Sequence, residues 1–185
     1  MESLWAKNSV FEPRERLTQD ESADVAVIGA GITGLLTAWF LQEAGLRVVV
    51  LEANRIAGGQ TQNTTAKITA QHGYIYRPLI EKHGEDKAWQ YAQANAAAIE
   101  DYRRIIRDKR ISCAFEEQDA YLYSRSNAAL MRDEAEAARL LGLPSSFTED
   151  VPLPFPTAGA VKFARQAQFN PLQFLQGLAR ELTIF

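Results

Sequence analysis

Short apolar runs and the polar breaks between them organise the first part of this chain. Val25–Ile28 is a continuous apolar run, residues 35–41 are mostly apolar, and Val48–Leu51 is a second short run. Four-residue apolar runs on either side of a longer segment predict a strand, a helix at about residues 32–44 and a second strand. Gly45 fits the end of that helix. A strand–helix–strand unit of this length is typical of a parallel α/β sheet.

The same patterns divide the rest of the chain into further elements. Apolar residues at three- and four-residue spacing indicate helices, whereas compact apolar or alternating runs indicate strands. In chain order they predict a helix at about 86–107, strands at 111–116 and 120–124 around a turn at 117–119, a helix at 127–141, a proline-marked loop at 152–156, a strand at 160–168 and a final helix capped by Asn170.

The break after the first strand carries the most specific pattern in the chain, Gly29-Ala30-Gly31-Ile32-Thr33-Gly34. Together with Glu52 at the end of the second strand, it forms the GxGxxG fingerprint of a dinucleotide-binding unit. In this fingerprint Gly29 allows a tight turn, Gly31 lets the backbone approach a pyrophosphate, and Gly34 lets the helix pack on the strand. The amides at the helix N-terminus bind the phosphates.

The segment after Glu52 bears on which dinucleotide binds. A carboxylate at this position accepts ribose hydroxyls and repels a 2′-phosphate, which disfavours NADP and leaves FAD and NAD open. Gly58 and Gly59 are followed by small polar residues, a backbone suited to close ligand approach. Thr64 or Thr65 is expected to cap a short helix that turns its amides toward an anion. NAD-binding domains do not need this segment, so it favours FAD.

At these residues the chain resembles the D-amino-acid-oxidase-like family of FAD-dependent oxidoreductases, which includes glycine and sarcosine oxidases. The resemblance rests on the GxGxxG segment, on Leu51-Glu52-Ala53 and on Ile56-Ala57-Gly58-Gly59. It implies FAD as the cofactor and a Rossmann-like α/β fold joined to part of an α+β substrate domain. The predicted cofactor-binding residues are Gly29, Ala30, Gly31, Ile32, Thr33, Gly34, Glu52, Ala53, Gly58, Gly59, Thr65 and Lys67.

The run Thr64-Thr65-Ala66-Lys67-Ile68-Thr69-Ala70-Gln71-His72-Gly73 is similar to one bacterial branch of that family. In that branch the oxidoreductase domain is usually followed by a C-terminal Rieske iron–sulfur domain. Residues 166–171 and the helix after them resemble the family's return from the substrate domain to the FAD domain. The resemblance thus covers about residue 24 to the end, and it implies a downstream Rieske domain as a possible partner.

Composition narrows the class of protein further. The 185 residues carry a net charge of −3, with 46% hydrophobic and 23% charged residues, and no long basic run, so nucleic acid is not an expected partner. No apolar stretch approaches the roughly 20 residues of a membrane span, and no signal-peptide core is seen at the N-terminus. Cys113 is the only cysteine, which excludes a cysteine-ligated cluster within these residues and favours the cytoplasm.

The predicted organisation is a polar lead-in at 1–23, the FAD-binding unit and its loop at 24–73, a part of the substrate domain at 74–160, and a return to the FAD domain at 161–185. Two parallel strands make too small a sheet, and the last helix leads to no further element. We therefore expect a fragment cut within its FAD domain. The alternative is a self-contained small α/β domain that shares the βαβ unit.

No catalytic residue is predicted. Histidine exchanges protons near neutral pH, so His72 is a candidate for a residue beside the flavin. Lys67 is a candidate for a positive charge beside the reduced ring. Each residue also fits a purely structural role. Tyr74 and Tyr76 fit either a core or a substrate-side position, with the core favoured. Glu116, Glu117 and Asp119 fit a solvated turn better than a carboxylate pair. Cys113 fits an inert core position.

The function expected of the intact protein is oxidation of an amine or amino acid by hydride transfer to flavin, with electrons passing to O2 or to a Rieske domain. The alternative is a non-catalytic nucleotide-binding module or one piece of an assembly. We expect the 185-residue chain alone to be inactive, to hold FAD poorly and to self-associate through an exposed apolar face at Leu175, Leu178 and Leu182.

Overall fold

The computed structural model describes residues 3–185. Residues 3–66, Ile106–Phe115 and Phe169–Phe185 form one compact unit, called unit 1. Lys67–Ile105 and Glu116–Gln168 form a second, called unit 2. Across the described residues, no helix combines the length and the apolar character that crossing a membrane requires.

Unit 1 contains a three-stranded parallel sheet in the order β1-β2-β7. Its strands are β1 (Val25–Ile28), β2 (Val48–Leu51) and β7 (Thr183–Ile184). Ile28 lies opposite Leu51 in the register of the first pair. Because the strands are parallel, the segments that follow Ile28 and Leu51 leave the sheet at the same edge. This register brings the glycine-rich turn and Glu52 together.

Two helices complete the core of unit 1. They are α1 (Ile32–Glu43) and α5 (Pro171–Ala179), which pack against each other. Leu35, Ala38 and Trp39 are the buried residues of α1, and their three- and four-residue spacing places them on one face. Asn170 caps α5, because its side-chain oxygen accepts hydrogen bonds from the Leu172 and Gln173 amides. Short 3₁₀ helices lie at Ala6–Asn8 and Gln60–Asn63.

Unit 2 is built on an antiparallel sheet in which β6 pairs with each of the other three strands. Helix α4 packs on β5 and β6. Helix α3 begins in unit 2, and its last residues belong to unit 1. The elements are β3 (Lys67–Ile68), α2 (Tyr76–His83), α3 (Glu85–Asp108), β4 (Glu116–Ser124), α4 (Ala128–Leu140), β5 (Ser145–Thr148) and β6 (Gly159–Gln168).

Most long elements confirm the predictions from periodicity. The predicted helices at 32–44, 86–107 and 127–141 correspond to α1, α3 and α4, and the predicted strand at 160–168 corresponds to β6. The final helix begins after its predicted Asn170 cap. Gly45 and Gly142 follow α1 and α4 with positive φ, as helix-ending glycines do.

Of the predicted strand pair at 111–116 and 120–124, the second strand is confirmed, since it lies within β4, and the first is wrong. Residues 111–115 form no strand, and the polar residues 117–119 belong to the continuous strand β4 rather than to a turn. Pairing of β4 with β6 is irregular only between Gln118 and Ala120. The long ladder with β6 outweighs the local preference of acidic residues for turns, because tertiary pairing dominates strand formation.

Helix α2 and the short strands β3, β5 and β7 were missed. Helix α2 contains Pro78 at its third helical position. A proline in the first turn removes only an amide that lacks an intrahelical partner, so it does not prevent the helix. Strand β5 is short and three of its four residues are polar, so its sequence carries little periodicity. The prediction that Thr64 or Thr65 starts a helix is also wrong, since Thr64 ends the 3₁₀ helix and β3 follows.

The expectation of an exposed apolar face at the end of the chain is contradicted. Leu175 and Leu178 are fully buried and Leu182 is 4% exposed. The helix is followed by β7, which extends the parallel sheet to three strands. The proposed cause of self-association is therefore absent. The predicted domain boundaries stay predictions; the compact units differ from them in grouping Lys67 and β6 with unit 2.

Candidate cofactor site

The glycine-rich turn lies where β1 meets α1. Gly29 has φ +98°, a left-handed conformation that favours glycine. A Cβ atom on Gly34 would lie 1.9 Å from the Gly29 carbonyl oxygen, so only glycine allows the first turn of α1 this close to the strand end. Both residues are therefore required by the protein's own backbone.

A second segment, residues 52–61, is fastened to this turn by hydrogen bonds. The Ala30 carbonyl accepts from the Ala57 amide at 2.9 Å. The Thr61 hydroxyl oxygen accepts from the Ile32 amide at 3.2 Å, which satisfies the first amide of α1. These bonds hold the paired-glycine segment beside the N-terminus of α1.

Glu52 lies half-buried at the centre of this arrangement. One carboxylate oxygen accepts from the Ala30 amide at 2.8 Å, and the other accepts from the Asn54 amide at 2.9 Å. A carboxylate offers about four lone-pair sites. Each oxygen therefore keeps one site for a further donor, which is what recognition of two ribose hydroxyls requires.

A cleft of 780 Å³, called the fingerprint cleft, opens between the turn and the second segment. This volume falls in the range of small-molecule sites, roughly 300–1,000 Å³. Eight of the predicted cofactor-binding residues line it: Gly29, Gly31, Ile32, Thr33, Gly34, Glu52, Gly58 and Gly59.

Gly31 differs from the other glycines of the turn. Its backbone is extended, with φ −79° and ψ −178°, a conformation that any residue adopts. A Cβ on Gly31 would make only an ordinary contact, 3.7 Å from the Thr61 hydroxyl. The polypeptide itself gives no reason for glycine here, and because Gly31 lines the fingerprint cleft, a ligand that approaches the backbone supplies the reason. Gly59 also lines the cleft, but its ψ of −135° lies outside the β and α regions, so its own backbone already favours glycine.

The N-terminus of α1 suits an anion. The Leu35 amide makes the i→i−4 bond to the Gly31 carbonyl, which places the Thr33 and Gly34 amides in the turn before it. Such amides have no partner within a helix, and the helix dipole adds partial positive charge. Arg55 lines the same cleft and contributes a full positive charge. The donor set therefore fits the pyrophosphate of a dinucleotide.

Four predicted residues lie elsewhere. Ala30 is fully buried and contributes only its backbone. Ala53 lines a neighbouring cavity of unit 1. Thr65 is exposed and lines neither cavity, and Lys67 is an exposed residue of β3 in unit 2. The structure thus does not bring Thr65 and Lys67 to the fingerprint cleft, and their cofactor role stays a prediction.

Sequence reasoning missed other residues of the cleft, among them Asn54, Arg55, Gln60 and Thr61. Thr61 caps α1 from almost thirty residues away in the sequence, so no local residue spacing predicts this contact. A hydroxyl residue two positions after the paired glycines was the available signal. Arg55 follows Glu52 by three residues, and its charge close to the ribose acid was the signal there.

The weaker candidates lie outside this cleft. In unit 2 the Nδ1 atom of His72 lies 3.0 Å from the Tyr91 hydroxyl, and Tyr76 is fully buried with its hydroxyl donating to the Ala70 carbonyl. Burial raises the pKa of the Tyr76 phenol. In unit 1 burial raises the pKa of the Cys113 thiol to about 11, which keeps it protonated and unreactive.

Sequence reasoning also missed a buried acid in unit 2. Glu134 is 0% exposed, and it accepts from the amides of Ile75, Tyr76 and Arg77 at 2.8–3.0 Å. These amides begin helix α2. Glu134 thus caps that helix from α4 and holds the two elements together.

The family model described as DAO, FAD dependent oxidoreductase, matches residues 24–183. The putative Rieske 2Fe-2S iron-sulfur protein YhfW of Bacillus subtilis is 39% identical over 98% of this chain and 36% of its own length. Gamma-glutamylputrescine oxidoreductase of Escherichia coli is 30% identical over 60% of this chain and 26% of its own length. The matched part of this chain thus spans only about a quarter to just over a third of the length of these curated relatives.

A solved structure shares the fold. L-amino acid deaminase from Proteus vulgaris superposes with a TM-score of 0.71 at 19% identity, covering 95% of this chain and 42% of that one. The predicted α/β fold is confirmed by this structure, and FAD as the cofactor is confirmed by the family match. The chain belongs to the DAO family of FAD-dependent oxidoreductases.

Proposed function

We propose that the fingerprint cleft holds FAD, with the pyrophosphate at the N-terminus of α1 and an adenosine ribose on Glu52. The observation that carries this proposal is Gly31, which has room for a side chain, an ordinary extended backbone and a position on the cleft wall. A bound phosphate explains why this position carries no Cβ.

The residues of unit 1 then have separate tasks. The Thr33 and Gly34 amides and Arg55 supply positive charge toward the phosphates. Glu52 orients the ribose, and its own orientation is held by the Ala30 and Asn54 amides. Because these donors are fixed before the ligand arrives, less ordering free energy opposes binding.

The reaction we propose for the protein is oxidation of an amine or amino acid. FAD held by these residues would supply a two-electron acceptor for the hydride on the carbon that bears the nitrogen, and a neutral amine would leave as the iminium cation. The support is the family membership together with relatives named for such substrates, gamma-glutamylputrescine oxidoreductase and L-amino acid deaminase. Since this chain covers under half of either protein, the substrate class belongs to the proposal.

We further propose that the electrons pass to O2 or to a Rieske domain, and that the protein works in the cytoplasm. A relative named as a Rieske protein matches nearly the whole chain, which supports the first point. The buried, free Cys113 fits a reducing compartment. Recording both reoxidation by O2 and the presence of an iron–sulfur spectrum in the natural gene product distinguishes the two acceptors.

The test uses the protein as its gene encodes it. We expect it to purify with a flavin spectrum and to lose that spectrum anaerobically with one member of a panel of amines and amino acids. Gly31→Val should abolish flavin retention, whereas Thr37→Val, on the exposed side of the same helix, should not. Flavin that is bound but reduced by no member of the panel would indicate a non-catalytic nucleotide-binding module. Equal flavin content in both variants would contradict the site.

A further inference from the structure

The N-terminal lead-in is fastened to unit 1 along its length. We call residues 3–17 the strap. The Ser3 hydroxyl donates to the Gln62 carbonyl, and the Trp5 indole donates to the Thr64 carbonyl at 3.0 Å. Further along, the Gln176 side chain donates to the Val10 carbonyl, and Arg14 donates to the Ala179 carbonyl. A segment without long regular structure is thereby fixed by four hydrogen bonds to other parts of the unit.

The strap forms one wall of a cavity of 1050 Å³ within unit 1, called the strap cavity. The carboxyl edge of the parallel sheet, including Leu51 and Phe185, also lines this cavity. This cavity continues from the fingerprint cleft, because six residues line both: Ile28, Glu52, Asn54, Arg55, Ala57 and Gly58. A ligand seated on Glu52 therefore has the strap cavity on its other side.

The cavity exposes apolar surface. Ile28 is 78% exposed and Val10 is 77% exposed, and both line it. Its charges balance, with Glu12, Glu15 and Glu52 against Arg14, Arg16 and Arg55. A balanced rim around exposed apolar side chains favours a neutral, flat aromatic group over a second anion.

We propose that the strap is a cofactor-binding element, in which Val10 makes apolar contact with the adenine ring of FAD beside Ile28. This inference rests on the proposed function, since the pyrophosphate in the fingerprint cleft and the ribose on Glu52 direct the rest of the nucleotide into this space. Burial of Val10 and Ile28 by the ring removes apolar surface from water and stabilises the bound state.

Two exposed apolar residues of the strap provide a matched comparison. Val10 lines the cavity, whereas Leu4, 68% exposed, does not. In the natural gene product stripped of flavin, Val10→Asp should raise the Kd for FAD roughly tenfold, as measured by flavin fluorescence, because it puts a carboxylate beside the ring. Leu4→Asp should leave Kd unchanged. Neither side chain is buried, so both variants should keep the unaltered melting temperature.

A second measurement needs no variant. Trypsin cleaves after arginine, and Arg14 and Arg16 lie in the strap. ADP, which carries the adenine and no flavin, should slow cleavage at these sites, whereas FMN, which lacks the adenine, should not. Equal Kd values for Val10→Asp and the unaltered protein, or equal protection by ADP and FMN, would overturn the strap's role while FAD binding stands. If trypsin cleavage without nucleotide slows as the protein concentration rises, the strap lies in a contact between protein molecules. That result would also overturn the strap's role in cofactor binding.

If the unaltered protein does not bind FAD, the proposed function itself fails, and the strap's role fails with it. The fluorescence titration of the unaltered protein therefore comes first, and only a measurable Kd makes the strap variants informative. The conservative change Val10→Leu, which keeps an apolar side chain in the cavity, should retain FAD with the unaltered Kd. Loss of FAD in Val10→Leu as severe as in Val10→Asp would contradict an apolar contact with the ring.

Discussion

Two carboxylates in this chain accept hydrogen bonds from backbone amides beside the start of a helix, and they differ in the acceptor capacity that remains. Glu134 of unit 2 is completely buried and accepts three amides at the beginning of α2. Glu52 of unit 1 is half-buried, accepts one amide on each oxygen and lines a cleft. The Glu134 carboxylate serves the fold alone, whereas the Glu52 carboxylate keeps acceptor capacity on a surface that a ligand reaches.

The glycines of the turn in unit 1 show the same distinction between a residue required by the fold and a residue required by a ligand. Gly34 is required by packing, because its Cβ would collide with the Gly29 carbonyl oxygen. Gly31, three residues earlier, has no such requirement. Residues that the fold requires and residues that only a ligand requires thus stand side by side in one turn. Stability and FAD affinity should therefore respond to different substitutions.

The largest expected effect is on stability, at Glu134. Glu134→Ala leaves three amides at the start of α2 without their acceptor, so the free energy of unfolding should fall by about 3–4 kcal/mol. Chemical denaturation measures this loss, and the FAD Kd of the folded fraction should stay within about twofold. A variant with unchanged stability would show that water replaces the carboxylate at no cost.

Gly34→Ala is expected to be next in size. Since its Cβ would lie 1.9 Å from a backbone oxygen, α1 must move away from β1. We expect a loss of about 3 kcal/mol in unfolding free energy, seen by denaturation whether or not FAD is present. A Gly34→Ala protein with the unaltered melting temperature would contradict the close approach of helix and strand.

Gly31→Val should reverse the pattern of Gly34→Ala. The melting temperature without FAD should change little, because the first added atom has room. The FAD affinity should fall by about 2–3 kcal/mol, since the side chain occupies the path of the phosphate. Absorbance of flavin per protein after dialysis, together with thermal melting, checks both halves. Full retention of FAD would show that the glycine-rich loop is only a structural turn.

The smallest expected effect is at Glu52. Glu52→Ala removes the ribose acceptor, which should weaken FAD binding by about 1–3 kcal/mol. The variant also frees the Ala30 and Asn54 amides, so a loss of up to about 1 kcal/mol in stability should accompany it. Isothermal titration with FAD measures the first effect. Unchanged affinity would remove the ribose assignment and leave Glu52 as a second structural acceptor, like Glu134.

The two carboxylates also differ in whether the sequence alone predicts their roles. The GxGxxG turn and Glu52 were predictable because strand, helix and strand are consecutive, and parallel pairing joins their ends. Glu134 was not predictable, because its partners lie 57–59 residues away and a buried glutamate looks like any helix-surface acid in a single sequence. Thr61 was missed for the same reason: its partner is distant and its local pattern is that of a polar loop.

The errors in secondary structure have a related origin. Residues 117–119 are polar and suggested a turn, but pairing with β6 holds this segment in β4. Leu175 and Leu178 were expected to be exposed because the sheet was counted as two strands. The structure adds β7 after α5 and buries both leucines within unit 1. In each case a contact distant in sequence decided the outcome, which local propensity does not encode.

The most direct test of FAD binding in the fingerprint cleft is amide hydrogen exchange of the natural gene product with and without FAD. We expect FAD to slow exchange in residues 29–34 and 52–58, where the ligand meets the turn and its partner segment. The amides of Ile75, Tyr76 and Arg77, already held by Glu134, should exchange slowly in both states and change little. Protection at the start of α2 without protection of the glycine-rich turn would contradict the assignment of FAD to the fingerprint cleft.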